Sequence, residues 1–187
     1  MYRLRQLLTV LAMLLCQPAL ADDTALWAGL RSGETIALMR HADAPGTGDP
    51  DGFRLEDCAT QRNLSEQGRR QAKDAGAMFR SKGITGATVY SSQWCRCLDT
   101  ASGLALGPVV PKPALNSFFD DARRDRQQTE ALRQLVLRRP PGKPLVMVTH
   151  QVNITALTGV YPGSGEIIVV RPENGLLTVM GNIPTIK

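Results

Sequence analysis

Histidine and aromatic residues are scarce in this sequence. Of 187 residues only two are histidines, His41 and His150, and Phe, Trp and Tyr together supply 5%. There is no run of lysines and arginines, no internal repeat and no low-complexity tract. A net charge of +5 therefore comes without the basic arm and interleaved aromatics of a nucleic-acid binder, and no nucleic-acid partner is expected. Acidic residues do not cluster into a magnesium or calcium set, and Cys95-x-Cys97 with one further cysteine and two distant histidines lacks zinc spacing. Neither metal nor cofactor is expected. Long apolar runs are missing too. The longest candidate, Leu7 to Cys16, is too short to cross a bilayer, so no stable membrane span is expected.

That short run has a different reading. "MYRLRQLLTVLAMLLCQPALA" places two arginines before an apolar core and ends in Ala19-Leu20-Ala21, the layout of a cleavable export signal. Residues 1–21 are read as the signal, 22–187 as one domain, and the location as periplasmic or secreted. A lipid anchor at Cys16 is the alternative, and the bulky Leu15 before it argues against one. The remainder, from a chain that is 43% hydrophobic and 21% charged, is the right size for a single globular core. In an oxidising compartment the remaining cysteines, Cys58, Cys95 and Cys97, can form one intrachain bridge at most. Cys58 pairing with Cys95 or Cys97 would tie two segments together; buried free thiols are the alternative.

The hydrophobic pattern alternates between strands and helices. "TALWAGLRSG" reads as a short helix and "ETIALMR" as a buried strand. Residues 42–63 form a Gly/Pro/Asp-rich loop of functional length. Ser65 caps a helix whose buried face is Gly68, Ala72, Ala75, Gly76 and Phe79. "ATVYSS" and "PLVMVTH" are further strands, each running into a helix; "ALNSFFDDARRDR" is irregular and "QQTEALRQLVLRR" is an amphipathic helix. The tail, "EIIVVRPENGLLTVMGNI", is two strands about a Pro-Glu-Asn-Gly turn. This order predicts an α/β sandwich with a mostly parallel sheet, whose ligands lie beyond the carboxyl ends of the strands.

That rule gathers the chemistry. One strand ends at Arg40-His41, another at Ser91-Ser92 with Arg96 close behind, a third at Thr149-His150. Arg40, Arg62 and Arg96 near one sheet edge make an anion pocket, because a guanidinium presents a planar fork of permanently charged donors. Helix N-termini after Ser92 and His150 add backbone donors. A neutral imidazole in such a pocket can attack phosphorus, and arginines can take the place that Mg²⁺ often fills.

The same residues carry a family resemblance. "LMRHADAP" resembles the R-H-G motif of the histidine phosphatase superfamily, the phosphoglycerate mutase-like proteins of branch 1. "RNLSEQGRRQA" resembles its L-[ST]-x-x-G-x-x-Q-A segment, "VYSSQWCRCLDTA" its S-S-x-x-x-R-x-x-x-T-A segment, and "VTHQVNI" its second-histidine motif. The four stand in family order. The resemblance implies a three-layer α/β/α sandwich and a phosphohistidine intermediate. It assigns the nucleophile to His41, phosphate binding to Arg40 and Arg96, and a role beside the phosphoryl group to His150. Arg62 matches an arginine of the short, phosphohistidine-phosphatase-like members.

Three positions depart from the family pattern. Ala42 replaces the motif glycine, Gln151 replaces the glycine after the second histidine, and Ser117 stands where many members carry a glutamate proton donor. Asp120 is taken as the replacement donor, with Asp121 and Asp57 as alternatives. The expected function is that of an exported, metal-independent phosphohydrolase acting on phosphomonoesters. Its partner is a small-molecule or glycolipid phosphoester substrate. A phosphomutase and a non-catalytic phosphate-binding module of the same fold are the competing readings.

Overall fold

The structure is a computed structural model and describes residues 23–140 and 142–185. The expected signal, 1–21, lies outside the described residues. Helix α1 (Asp23–Ser32) leads into strand β1 (Ile36–Arg40); α2 (Glu66–Ser81), β2 (Thr88–Ser91), α3 (Cys95–Leu104) and β3 (Val109–Pro111) follow. Then come α4 (Asp125–Leu137), β4 (Leu145–Thr149), α5 (Gln151–Thr158), β5 (Ile167–Glu173) and β6 (Leu176–Ile183). The six strands form one sheet in the order β3-β2-β4-β1-β5-β6. β1, β2, β3 and β4 pair in parallel; β5 and β6 join antiparallel at the other side.

Strand alternation divides the core into two layers. Ala37 and Met39 of β1 face Trp27, Phe79, Ala101 and Leu104 from α1, α2 and α3. Ile36 and Leu38 face Leu132, Val136, Ile154 and Leu157 from α4 and α5. The architecture is a three-layer α/β/α sandwich; of the central strands β4 is buried throughout and β1 at all but its last residue, Arg40. At the hairpin between β5 and β6, Asn174 and Gly175 both have positive φ, 51° and 77°, as a two-residue turn demands. No helix among the described residues is long and apolar enough to cross a membrane.

Two elements differ from the sequence expectation. β3 is an edge strand of three residues that ends on a proline, too short and too proline-rich to show a period. The stretch read as irregular contains two short 3₁₀ turns, Pro113–Leu115 and Ala122–Arg124, around the phenylalanines.

The loop over residues 42–63 is held by specific contacts. Ser65 caps α2, its Oγ accepting from Gly68 N–H and donating to Asp43 Oδ2. A Cβ on Gly68 would fall 2.1 Å from the Asp43 carbonyl oxygen, so only glycine allows this approach. Gln71 Oε1 accepts from the Asp43 N–H at 2.9 Å. Ser65, Gly68 and Gln71 thus brace the chain just after His41. Further along, Cys58 and Cys95 form a disulfide across 37 positions of sequence, with Cα atoms 5.7 Å apart. Cys97 is a buried free thiol.

Closing a loop of that length is worth about 3–4 kcal/mol in the chain-entropy treatment. Thiol titration of denatured, non-reduced protein lacking residues 1–21 should find one free thiol. Reduction should lower the unfolding free energy by about that amount. Three free thiols would contradict the bridge.

Candidate active site

Parallel pairing brings three strand ends to one edge of the sheet. Arg40 pairs with Thr149 in register, and Ser91 with Val148. His41 N–H then donates to Thr149 O at 2.9 Å, and Ser92 N–H to Val148 O at 2.9 Å. The two imidazoles, over a hundred residues apart in sequence, face each other edge-on with ring centroids 5.6 Å apart. Both are almost fully buried. A cleft of about 130 Å³ opens beside them. Its walls include Arg40, Arg62, Arg96, Ser117, Asp120 and Gln151. The volume is well below the 300–1,000 Å³ typical of a drug-sized ligand pocket. It suits a phosphoryl group, with the rest of a substrate lying toward the exposed rings of Phe119 and Tyr161 at its margin.

The orientation of His41 follows from its hydrogen bond. Nδ1 lies 2.8 Å from the Ala42 carbonyl oxygen, which can only accept, so Nδ1 carries the proton and Nε2 keeps its lone pair. Ala42 is fixed in turn: its N–H donates to Thr100 Oγ1, and that hydroxyl donates to the Arg96 carbonyl. Arg96 and Thr100 are four residues apart on α3, on one helix face. One lines the pocket and the other holds the backbone beside the first histidine. His150 Nε2 is 2.8 Å from Ser92 Oγ. Ser92 directs its single proton to Asn116 Oδ1, so it accepts from the imidazole N–H.

Burial sets the charge state of both rings. Loss of water pushes the His41 pKa down to about 3, and the Arg96, Arg62 and Arg40 charges push the same way, against the Ala42 hydrogen bond. His150 is held well below 6.5, first by burial and then by Arg96. Neutral imidazoles among guanidinium groups are the state a nucleophile requires.

The arginines are anchored by backbone. Arg40 Nη1 donates to Pro162 O at 2.9 Å; Arg62 Nε donates to Gly48 O at 2.7 Å, and its Nη1 to Ala44 O. The Nε groups of Arg40 and Arg96 are buried and have no acceptor among the described residues. A buried donor without a partner costs roughly 1–3 kcal/mol. Both arginines line the cleft, where their fixed charges suit an oxyanion ligand.

The carboxylates separate into distinct positions. Asp120 lines the cleft. Asp121 does not: it caps the Ala122–Arg124 turn and pairs with Arg123. Asp57 is also elsewhere, capping Cys58–Thr60 and pairing with Arg54. The family glutamate position, Ser117, does line the cleft, and its Oγ accepts from Phe119 N–H. Gln151 reaches the cleft wall and donates to Thr155 Oγ1 at 2.8 Å. Of the two helix N-termini expected to offer donors, that of α3 is partly occupied, since Cys95 N–H donates to Gln61 Oε1. One participant was missed in the sequence. Asp49, from the glycine-rich loop, lies in the cleft wall on Arg96, Arg62 and Trp94. Among the described residues no group of three or more His, Cys, Asp or Glu is placed to hold a metal ion.

Solved structures share this architecture. The protein histidine phosphatase SixA, complexed with tungstate, superposes with a TM-score of 0.58 at 16% identity, over 80% of this chain and 96% of that one. A phosphoserine phosphatase from Entamoeba histolytica gives 0.59 at 15%, over 79% and 95%. A mycobacterial glucosyl-3-phosphoglycerate phosphatase complexed with VO3 gives 0.55 at 19%, over 78% and 96%. These likenesses define the fold as phosphoglycerate mutase-like. No curated protein matches by sequence. Residues 36–119, which span the first three motifs, match the model of the histidine phosphatase superfamily (branch 1). Over those residues the chain is similar to that superfamily.

With only two histidines, their titration can be read directly. Neither imidazole should titrate between pH 5 and 8 by NMR, and His41 should show the Nδ1–H tautomer. The unfolded chain takes up protons below about 6.5 that the folded one refuses. Stability should therefore be complete above that pH and fall as pH drops from 6.5 toward 3. Imidazole titration near pH 6.5 in the folded protein would contradict the buried, neutral pair.

Proposed function

We propose that this chain is an exported, metal-independent phosphohydrolase that cleaves phosphomonoesters through a phosphohistidine at His41. The observation that carries the reading is a neutral imidazole with a free Nε2 in a cleft walled by Arg40, Arg62 and Arg96. Nε2 attacks phosphorus while the bond to the leaving oxygen breaks, and the three arginines hold the charge on the phosphoryl oxygens. Water then attacks the phosphoramidate, the P–N bond breaks, and inorganic phosphate leaves with His41 neutral again. His150, fixed by Ser92, stands beside the transferring group.

Asp120 is the proton donor in this scheme. It is a cleft-lining carboxyl with no side-chain hydrogen bond to the described residues, so it is free to protonate a leaving alkoxide. Asp49 cannot do so, because each of its oxygens already accepts two hydrogen bonds. The signal-like sequence of residues 1–21 supports an activity in the periplasm or outside the cell. The small cleft and its open aromatic margin favour a small-molecule or glycolipid phosphoester whose body stays outside. The structural neighbours are named as a protein histidine phosphatase, a phosphoserine phosphatase and a glucosyl-3-phosphoglycerate phosphatase, which agrees with a phosphatase reading.

The test is turnover of p-nitrophenyl phosphate and an alkyl phosphate in the presence of EDTA. Wild type should be active and should form an acid-labile, base-stable phosphoenzyme. His41→Ala should lose several orders of magnitude in kcat and all of the label. Asp120→Ala should harm the alkyl ester far more than the nitrophenyl ester, whose leaving group needs no acid. Normal turnover without label would refute the covalent step; equal losses on both esters would refute Asp120 as donor.

A further inference from the structure

Asp49 is a buried carboxylate that the proposed chemistry does not use. Its side chain is 2% exposed and that of its partner Arg96 is 3% exposed. Arg96 Nη1 donates to Oδ1 at 2.7 Å and Nη2 to Oδ2 at 3.1 Å, a two-point grip on the outer edge of the guanidinium. Arg96 Nη1 also reaches Arg62 O at 3.3 Å. On the other edge, Nε has no hydrogen-bond partner among the described residues. The Asp49 oxygens also accept from the Arg62 backbone N–H at 3.0 Å and the Trp94 indole N–H at 2.9 Å. One carboxylate thus links two of the cleft's arginines to the ring that packs on His150, whose centroid is 5.4 Å from Trp94.

We propose that Asp49 is a positioning residue for phosphate: it clamps the outer edge of Arg96 and so fixes the guanidinium in the cleft wall that receives the phosphoryl group. The inference rests on the phosphohydrolase reading above. Arginine has five N–H donors in a rigid plane, so fixing one edge fixes the direction of the other. A free arginine would lose this aim to side-chain rotation. Burial raises the carboxyl's pKa, but the hydrogen bonds from Arg96 and Arg62 outweigh it and hold Asp49 below the usual carboxylate range. The same clamp gives the 42–63 loop a reason to be tied to α3, since the Cys58–Cys95 bridge and the Gln61 contact to Cys95 both join that loop to the turn bearing Arg96.

The opposite role is also chemically possible, because a carboxylate on a phosphate-binding arginine can compete with substrate. The two roles differ in sign. Asp49→Asn keeps the shape and removes the charge and one acceptor. If Asp49 positions Arg96, this variant should lose about 10–100-fold in kcat/KM on p-nitrophenyl phosphate, as expected for a displaced positioning contact. Tungstate, measured both as an inhibitor and by calorimetric binding, should weaken by about tenfold or more. In an Arg96→Gln background the same substitution should add less than about twofold, since contacts acting through one residue are not additive.

Tungstate binding that is unchanged or tighter in Asp49→Asn overturns the proposal, as does an equal loss in the Arg96→Gln background. Should Asp49→Asn not fold, Asp49→Glu keeps the charge and shifts its reach by one methylene. It should weaken tungstate while melting like wild type, and wild-type affinity in that variant overturns the proposal. The underlying reading is tested separately. A wild type that binds tungstate but hydrolyses nothing removes the phosphohydrolase reading and leaves the Asp49 comparison to be decided on tungstate affinity.

Discussion

Three guanidinium groups converge on two buried imidazoles, and among the described residues only one of the three has a carboxylate salt-bridge partner. Like charges in a partly desolvated cleft repel, so the arrangement needs structure to hold it. The surrounding elements supply it. Arg40 is pinned by the Pro162 carbonyl, Arg62 by the Gly48 and Ala44 carbonyls, and Arg96 by Asp49. Each anchor uses a donor at one side of the side chain. What remains is a concentration of positive potential with unpartnered Nε groups, which an anion of two charges relieves. The neutrality of His41 and His150 has the same origin: an imidazole in this field and out of water does not take up a second proton.

The fold places these groups through parallel pairing. β1, β2 and β4 all end at the same edge, so an Arg-His dipeptide, a Ser-Ser dipeptide and a lone histidine meet without any being near another in sequence. α2 contributes nothing to the cleft directly. Its Ser65, Gly68 and Gln71 fasten Asp43, and α3 fastens Ala42 through Thr100, so the residue between β1 and that strap, His41, has little freedom. Two of the four sequence motifs are thereby explained as supports of the first histidine. Ala42, where the family has glycine, is tolerated because its side chain is buried in a small cluster with Ala44, Leu64 and Ala72.

Much of this was legible in the sequence, for physical reasons. Strands buried on both faces read as unbroken apolar runs, and the polar residue that ends such a run marks the strand's carboxyl end; Arg40, His41 and His150 were found that way. Ser65 and the small residues of α2 were visible as a cap and a face. Asp49 was not. It lies in a loop without period among Gly46, Gly48 and Pro50, and its importance depends on Arg96, 47 residues later. Asp120 and Asp121 could not be separated either. Adjacent residues in a turn point in different directions, and only the 3₁₀ turn that follows decides that Asp121 caps and pairs while Asp120 lines the cleft. β3 escaped because three edge residues next to prolines carry no pattern.

The central claim is that the arginines deliver phosphorus to Nε2 of His41. A crystal structure of the protein soaked with orthovanadate tests it most directly, because vanadate adopts the five-coordinate geometry of phosphoryl transfer. The account predicts vanadium bonded to His41 Nε2, with its oxygens held among Arg40, Arg62 and Arg96. Vanadate seated on His150, or held away from these arginines, would contradict it.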